Sequence, residues 1–386
     1  MKFKSDLFSI GFRPFFFLAS IYASVAIGLW ALVYGLSLQL PVFNYYPMLT
    51  WHAHEMIFAY SMAVIAGFLL TAIKNWTGVQ TVNGWKLILL VSIWIIARII
   101  PFVIDDSRLI ALADLLFLPL LAVFIAIPLL KTNNRRNYFM IVMVLIFAFL
   151  NLLIHLELLD YINNVAQLAY KSAFYLIIAL ILVMAGRVFP MFSQNGVAKR
   201  YQVKKYVIIE NLALPSYFIF ALSVLFVPMK LIVLFACVFA CVVHAIRLKG
   251  WYNVQIWHTP LVWVLHLGYL FLLVGFVMTA LSLYYPVFQN LALHTFSIGT
   301  LGVITIGMMA RVSIGHTGRN LRSASKVLKI IFLLLFVAVV IRVFMPIFDA
   351  DSYQMYIVLS ASLWSLAFLL FFLKYATIWI KPRVDL

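Results

Sequence analysis

Charge is what this sequence lacks. Only 10% of its 386 residues are charged, against about a quarter in a soluble globular domain. Together with a hydrophobic share of 66%, this excludes a soluble enzyme or a disordered chain and implies a polytopic membrane protein. Acids are scarcer than bases, 11 against 28, leaving a formal charge of +17. Such an excess raises the question of nucleic acid, but the bases fall in alternate loops between apolar runs, so they are read as a topology signal and no nucleic-acid partner is expected. Cysteine is nearly absent. Cys237 and Cys241 share one helical face and are read as small core residues, with a redox pair or soft-metal site as the alternative. Their spacing excludes a zinc ribbon and an attached c-type haem. There is no Walker loop, dinucleotide fingerprint or Gly-x-Ser-x-Gly elbow. Met1–Asp6 is followed by an apolar run too long for a cleavable signal and without a small-residue cleavage site.

What is present is a series of twelve apolar segments, near 15–38, 50–73, 84–104, 107–130, 138–159, 166–190, 206–227, 230–247, 258–283, 290–312, 327–348 and 353–380. Each approaches the ~20 residues that cross the hydrocarbon core as a helix. The expected fold is all-α, one integral membrane domain over residues 1–386. Lys2, Lys4 and Arg13, then Lys74 and Lys86, then Lys131, Arg135 and Arg136, mark one side of the membrane. So do Arg187, Lys199, Arg200, Lys204 and Lys205, then Arg247 and Lys249. Arg311, Arg319, Arg322, Lys326 and Lys329, and finally Lys374, Lys381 and Arg383, complete that side. The opposite loops hold Asp105, Asp106, Glu157, Asp160, Asp349 and Asp351. Both termini are therefore expected in the cytoplasm.

Topology gives each histidine a depth. In the stretch "TWHAHEM" (50–56), His52 and His54 open the second helix at its outer end, and His294 opens the tenth at the same depth. His155 closes the fifth helix on that side, His266 is intramembrane, and His244, His258 and His316 lie at cytoplasmic helix ends. Neutral imidazole is a common ligand for haem iron and copper, and facing helices of a bundle can clamp such a group. On a regular helix i and i+2 point about 200° apart. His52 and His54 therefore do not share one ion, and a centre on each side of the second helix is the sharper reading; a capping or packing role is the plainer one. Glu55 is either a first-turn acid favoured by the helix dipole or a group that orients an imidazole or relays a proton. Glu157 and Asp160 are further outer proton candidates, and Tyr60 a donor below His54.

A weak internal repeat accompanies this pattern. At an offset of 240 residues His54 meets His294, Gly67 meets Gly307, Thr77 meets Thr317 and Gly78 meets Gly318. Three four-helix units are plausible from the spacing of the first, fifth and ninth segments. The layout resembles the haem–copper oxidase superfamily at the level of fold alone. The sixth and seventh helices, which carry copper ligands there, contain no histidine here, so any copper site would be built differently, for instance with His266.

Seven motifs occur in order: "GFRPFF" (11–16), "WHAHEM" (51–56), "GFLLTAIKNWTG" (67–78), "GRVFPMF" (186–192), "LHLGYL" (265–270), "LALHTFSIGTLG" (291–302) and "GHTGR" (315–319). Together they closely resemble the NnrS family. The resemblance implies a bacterial inner-membrane protein of twelve helices that binds haem, with copper also reported, and that protects cells from nitric oxide. It maps the family's histidine motifs onto His52, His54, His266, His294 and His316 without assigning any to iron or copper. Arg13, Arg187 and Arg311 suit carboxylates such as haem propionates, although positive-inside placement is the stronger explanation of them. Two functions stand open. One is an oxidoreductase reducing nitric oxide at a histidine-held haem with Glu55 as proton carrier and an unidentified electron donor. The other is a non-enzymatic haem or copper carrier, or a sensor of nitric oxide.

Overall fold

The computed structural model describes residues 6–197, 201–321 and 325–384. Lys2, Lys4, Lys199, Arg200 and Arg322 of the charge pattern lie outside them. All twelve apolar segments are helices long enough to cross a membrane, and no strand occurs among the described residues. They are α1 (Phe12–Leu36), α2 (Met48–Thr77), α3 (Gly84–Val103), α4 (Ser107–Lys131), α5 (Arg135–Leu158) and α6 (Ala166–Gly196). Then come α7 (Val207–Phe226), α8 (Lys230–Trp251), α9 (Pro260–Ser282), α10 (Phe288–His316), α11 (Lys326–Phe348) and α12 (Tyr353–Ile380). The helices overrun their apolar cores where the last turns are polar. α6 continues through Pro190 to Gly196, since neighbours in a bundle tolerate an internal proline.

The described residues form two compact units. One runs up to Phe174 and takes in the chain from Phe372 on; the other spans Tyr175–Phe371. In the first unit α2 is the most enclosed helix, with 83% of its apolar window buried; α10 holds that place in the second, at 72%. Arg13 ties the first unit's chain ends together. Its guanidinium donates to the carbonyls of Trp379 (2.9 Å) and Lys381 (2.7 Å), satisfying the open C-terminal carbonyls of α12.

α2 and α10 share one local design. Each is α-helical up to its histidine, His54 or His294, and then passes into a π-helical segment, Glu55–Ser61 in α2 and Thr295–Gly302 in α10. Each returns to an α-helix whose glycine lets the preceding helix approach. A Cβ on Gly67 would lie 2.9 Å from Phe16 of α1, and one on Gly307 would lie 2.7 Å from Val264 of α9. Each closes on a threonine bonded back four residues (Thr77 to Ile73 O, 2.7 Å; Thr317 to Ser313 O, 2.6 Å). A left-handed glycine comes next in both, Gly78 at φ +70° and Gly318 at φ +73°, a conformation that favours glycine. The third helix expected in this series, α6, contains no π segment.

Candidate functional site

The first unit buries a polar centre at the helix ends opposite Lys74, Lys131 and Arg135. His54 and Glu55 come from the α-to-π junction of α2, Arg98 from α3, Asp114 from α4, and Asn151 and His155 from α5; all six are buried. Intramembrane ionisable groups of this kind mark functional sites or tight pairs. Arg98 lies 2.9 Å from Glu55 Oε2 and also pairs with Asp114. His54 Nδ1 lies 3.1 Å from Glu55 Oε1, while its Nε2 lies 3.2 Å from Asn151 Oδ1 and 3.2 Å from Asp114 Oδ2. Asn151 Nδ2 donates to Asp114 Oδ2 at 2.7 Å, which fixes the amide with its oxygen toward His54. His155 Nε2 lies 3.0 Å from Asp114 Oδ2, and its Nδ1 lies 2.7 Å from the Tyr45 hydroxyl. Tyr22 of α1 donates to Glu55 Oε2. Tyr45 lies in the loop before α2, where burial pushes its phenol up, so it remains a donor.

Two features show that this centre suits a cation. One guanidinium faces two carboxylates, so the cluster is short of one positive charge. Both His54 nitrogens also face oxygen acceptors, yet a neutral imidazole carries a single N–H. A second proton or a metal ion balances both counts. His54, Asp114 and His155 each offer a ligand atom within 4.8 Å of the others, and nitrogen with carboxylate oxygen is a donor set that divalent first-row metals take. A buried polar atom is also left over beside the set, the Tyr170 hydroxyl, whose ring lies 6.4 Å from that of His54.

A porphyrin does not fit at His54. Its ring is fully enclosed, with Tyr46, Phe58 and His155 at centroid distances of 4.8, 5.3 and 5.6 Å. The expectation of a haem on His54 thus meets a closed ring whose nitrogens already serve the polar centre. His52 points elsewhere, as an i, i+2 pair must, and stacks on Trp30 of α1 at 4.3 Å. His294, in the second unit, is half-buried. Its Nδ1 donates to Asn290 O at 2.8 Å, which leaves the Nε2 lone pair outward, 3.3 Å from the Arg342 guanidinium. That tautomer, fixed by a carbonyl behind the ring, is the one metal-ligating histidines use.

The remaining candidates have other surroundings. His266 sits in α9 with Nδ1 3.1 Å from Val262 O and Nε2 3.4 Å from both Ser193 Oγ and Trp251 O. Arg187 is half-buried on α6, and the Arg311 guanidinium lies over the Phe192 ring at 3.8 Å. His316 lines a cavity with Arg311. Glu157 accepts from Val165 N (2.6 Å) and Ala166 N (2.7 Å) at the start of α6, an anchoring role rather than proton delivery. The second unit also holds a pair that sequence reasoning missed, Arg247 on Glu210 at 2.7 Å, with Arg247 3.3 Å from the Tyr269 hydroxyl that meets His244. A Cβ on Gly186 would strike that guanidinium, which explains the glycine of "GRVFPMF". Arg98, Asn151 and Tyr170 were missed as well. Arg98 had a signal, a charge well inside the run 84–104 and away from Lys86 at its edge; the other two had none.

A comparison with curated proteins gives no match. The family model described as NnrS protein matches residues 6–383, nearly the whole chain. With its twelve apolar helices and buried histidine centre, the chain therefore belongs to the NnrS family, membrane proteins of the nitric oxide response.

Proposed function

We propose that this protein sits in the bacterial inner membrane with both termini in the cytoplasm and captures nitric oxide at the His54–Asp114–His155 centre, where it is reduced. The observation that carries the reading is the missing positive charge among His54, Glu55, Arg98, Asp114 and His155. His54, Asp114 and His155 would hold a metal ion, copper or iron, and the ion would supply a binding position for a small uncharged gas that enters from lipid. The haem that the family resemblance implies would fall to His294, whose Nε2 would have to exchange its Arg342 contact for the iron.

The protein's own groups do the rest. Tyr45 holds His155 through its Nδ1, and Glu55, itself held by Tyr22, holds His54 through its Nδ1. Both imidazoles would thus keep Nε2 for the ion, while Glu55 and Tyr45 are the groups beside it that could carry a proton. Tyr170 offers a hydroxyl donor with no partner among the described residues. Tyr46 and Phe58 keep water from the His54 ring. Conversion of two nitric oxide molecules and two protons to nitrous oxide and water consumes two electrons, drawn from an external reductant.

One observation favours the carrier or sensor reading instead: Glu55 is pinned by Arg98, Tyr22 and His54 together, a fixed anion more than a shuttle. Purified protein distinguishes the two. Elemental analysis is expected to give one copper or iron at this centre per chain, lost in a His54→Ala/His155→Ala variant. Anaerobic turnover of nitric oxide to nitrous oxide with a chemical reductant supports the enzyme, and stoichiometric binding without turnover supports the sensor. Unchanged metal content and unchanged nitric oxide reactivity in the double variant would overturn both.

A further inference from the structure

Arg311 stands apart from the arginines that hold the two units' polar pairs. Arg98 pairs with Glu55 and Asp114, Arg247 with Glu210, and Arg342 meets His294 and Tyr353. Arg311 is only 6% exposed, yet among the described residues it makes no ion pair with a carboxylate and its Nε has no hydrogen-bond partner. A buried guanidinium without a counter-charge is costly unless something supplies one. The side chain lines a cavity of about 530 Å³ built within the second unit, a volume typical of small-molecule sites, about 300–1,000 Å³. One wall is apolar, with Met191 and Phe192 of α6; Asn195, His316 and Asn320 add polar groups to the lining. The Phe192 ring lies against the guanidinium and holds its planar fork in place.

We propose that this cavity binds the phosphate of an amphipathic ligand, its oxygens on the Arg311 fork and its apolar body along Met191 and Phe192. Arginine matches phosphate in a bidentate manner. Basic pockets between transmembrane helices at the positively charged face take lipid headgroups, and Arg311 lies in the last two turns of α10, next to the Lys- and Arg-bearing loop. The same phosphate chemistry is offered by a phospholipid of the membrane or by a phosphate ester from solution. The site is independent of the nitric oxide centre and stands whether or not that reading holds.

The test uses the full chain, delipidated in detergent, with two probes: phosphatidylglycerol read by native mass spectrometry, and inorganic phosphate read by thermal shift. Two variants are compared. Arg311→Gln removes the fork. Gly315→Phe fills the cavity and leaves Arg311 intact, because a Cβ there meets nothing within 4 Å; it keeps the test open should Arg311→Gln fail to fold. Retention of the lipid, weakened about tenfold or more in each folded variant, supports a lipid site. A saturable phosphate shift lost in the variants, without lipid retention, supports a soluble phosphate ester. Failure of both probes on the unaltered protein, or equal binding by folded variants, overturns the proposal.

Discussion

His54 and His294 stand on the same backbone and face different chemistry. Around each, an α-helix turns into a π segment, a glycine admits the preceding helix, and a threonine and a left-handed glycine close the end. The next helix supplies an arginine to each region, Arg98 or Arg342. The helix after that is entered through an aspartate whose carboxylate accepts backbone N–H groups two and three residues on, Asp106 before α4 and Asp349 before α12. The two copies part at the residue next to the histidine. Glu55 extends toward Arg98, whereas Thr295 bonds back to Leu291 O at 2.8 Å within its own helix. α4 adds Asp114 and α5 adds Asn151 and His155 to the first centre; His294 instead meets the Asn290 carbonyl and the Arg342 guanidinium. One scaffold thus serves twice, and a few side chains decide that the first copy gathers a charged, cation-seeking centre.

Removing the arginine is the harshest way to separate the copies. Arg98→Ala leaves Glu55 and Asp114 buried without their cation and is expected to destabilise the protein by about 3–5 kcal/mol. Arg342→Ala costs less, because its partners are a tyrosine and a neutral imidazole; denaturant unfolding in detergent compares the two, and equal losses would break the distinction. Next, Glu55→Gln weakens the support behind His54 and is expected to lower metal affinity about 10–100-fold. Thr295→Ala should leave metal binding unchanged, as metal titration would show. Gly67→Ala and Gly307→Ala probe the shared scaffold. Each forces a methyl group onto a neighbouring helix and is expected to cost about 1–3 kcal/mol, alike in both copies; a loss in one alone would deny the equivalence. The smallest effect concerns the turn before α12. Hydrogen bonds from Ser352 and Tyr356 hold the Asp349 carboxyl below the usual carboxylate range. Its contribution is therefore present at neutral pH and fades as pH falls through and below that range. Asp349→Asn should flatten the acid side of the thermal-unfolding profile slightly, and Asp106→Asn provides the matched comparison.

The twelve helices were legible because a spanning segment must be long, apolar and internally hydrogen-bonded. The pairing of α2 with α10 was legible from His54, Gly67, Thr77 and Gly78 against their counterparts, since a close approach, a helix end and a left-handed turn each restrict the residue type. The divergence of His52 and His54 came from helical geometry alone. The polar centre was not legible as a unit. His155 was visible as an outer helix-end residue, but Asn151 and Tyr170 are ordinary residues until α5 and α6 bring them to His54.

The sequence by itself determined a twelve-helix membrane protein of the NnrS family with histidines near helix ends, because hydropathy, charge alternation and ordered motifs are local properties of the chain. Only tertiary structure decided that His54 closes on Glu55, Asn151 and Asp114 while Arg311 is left without a counter-charge among the described residues. Charge balance in a buried place depends on which distant side chains arrive there, and no local pattern records that.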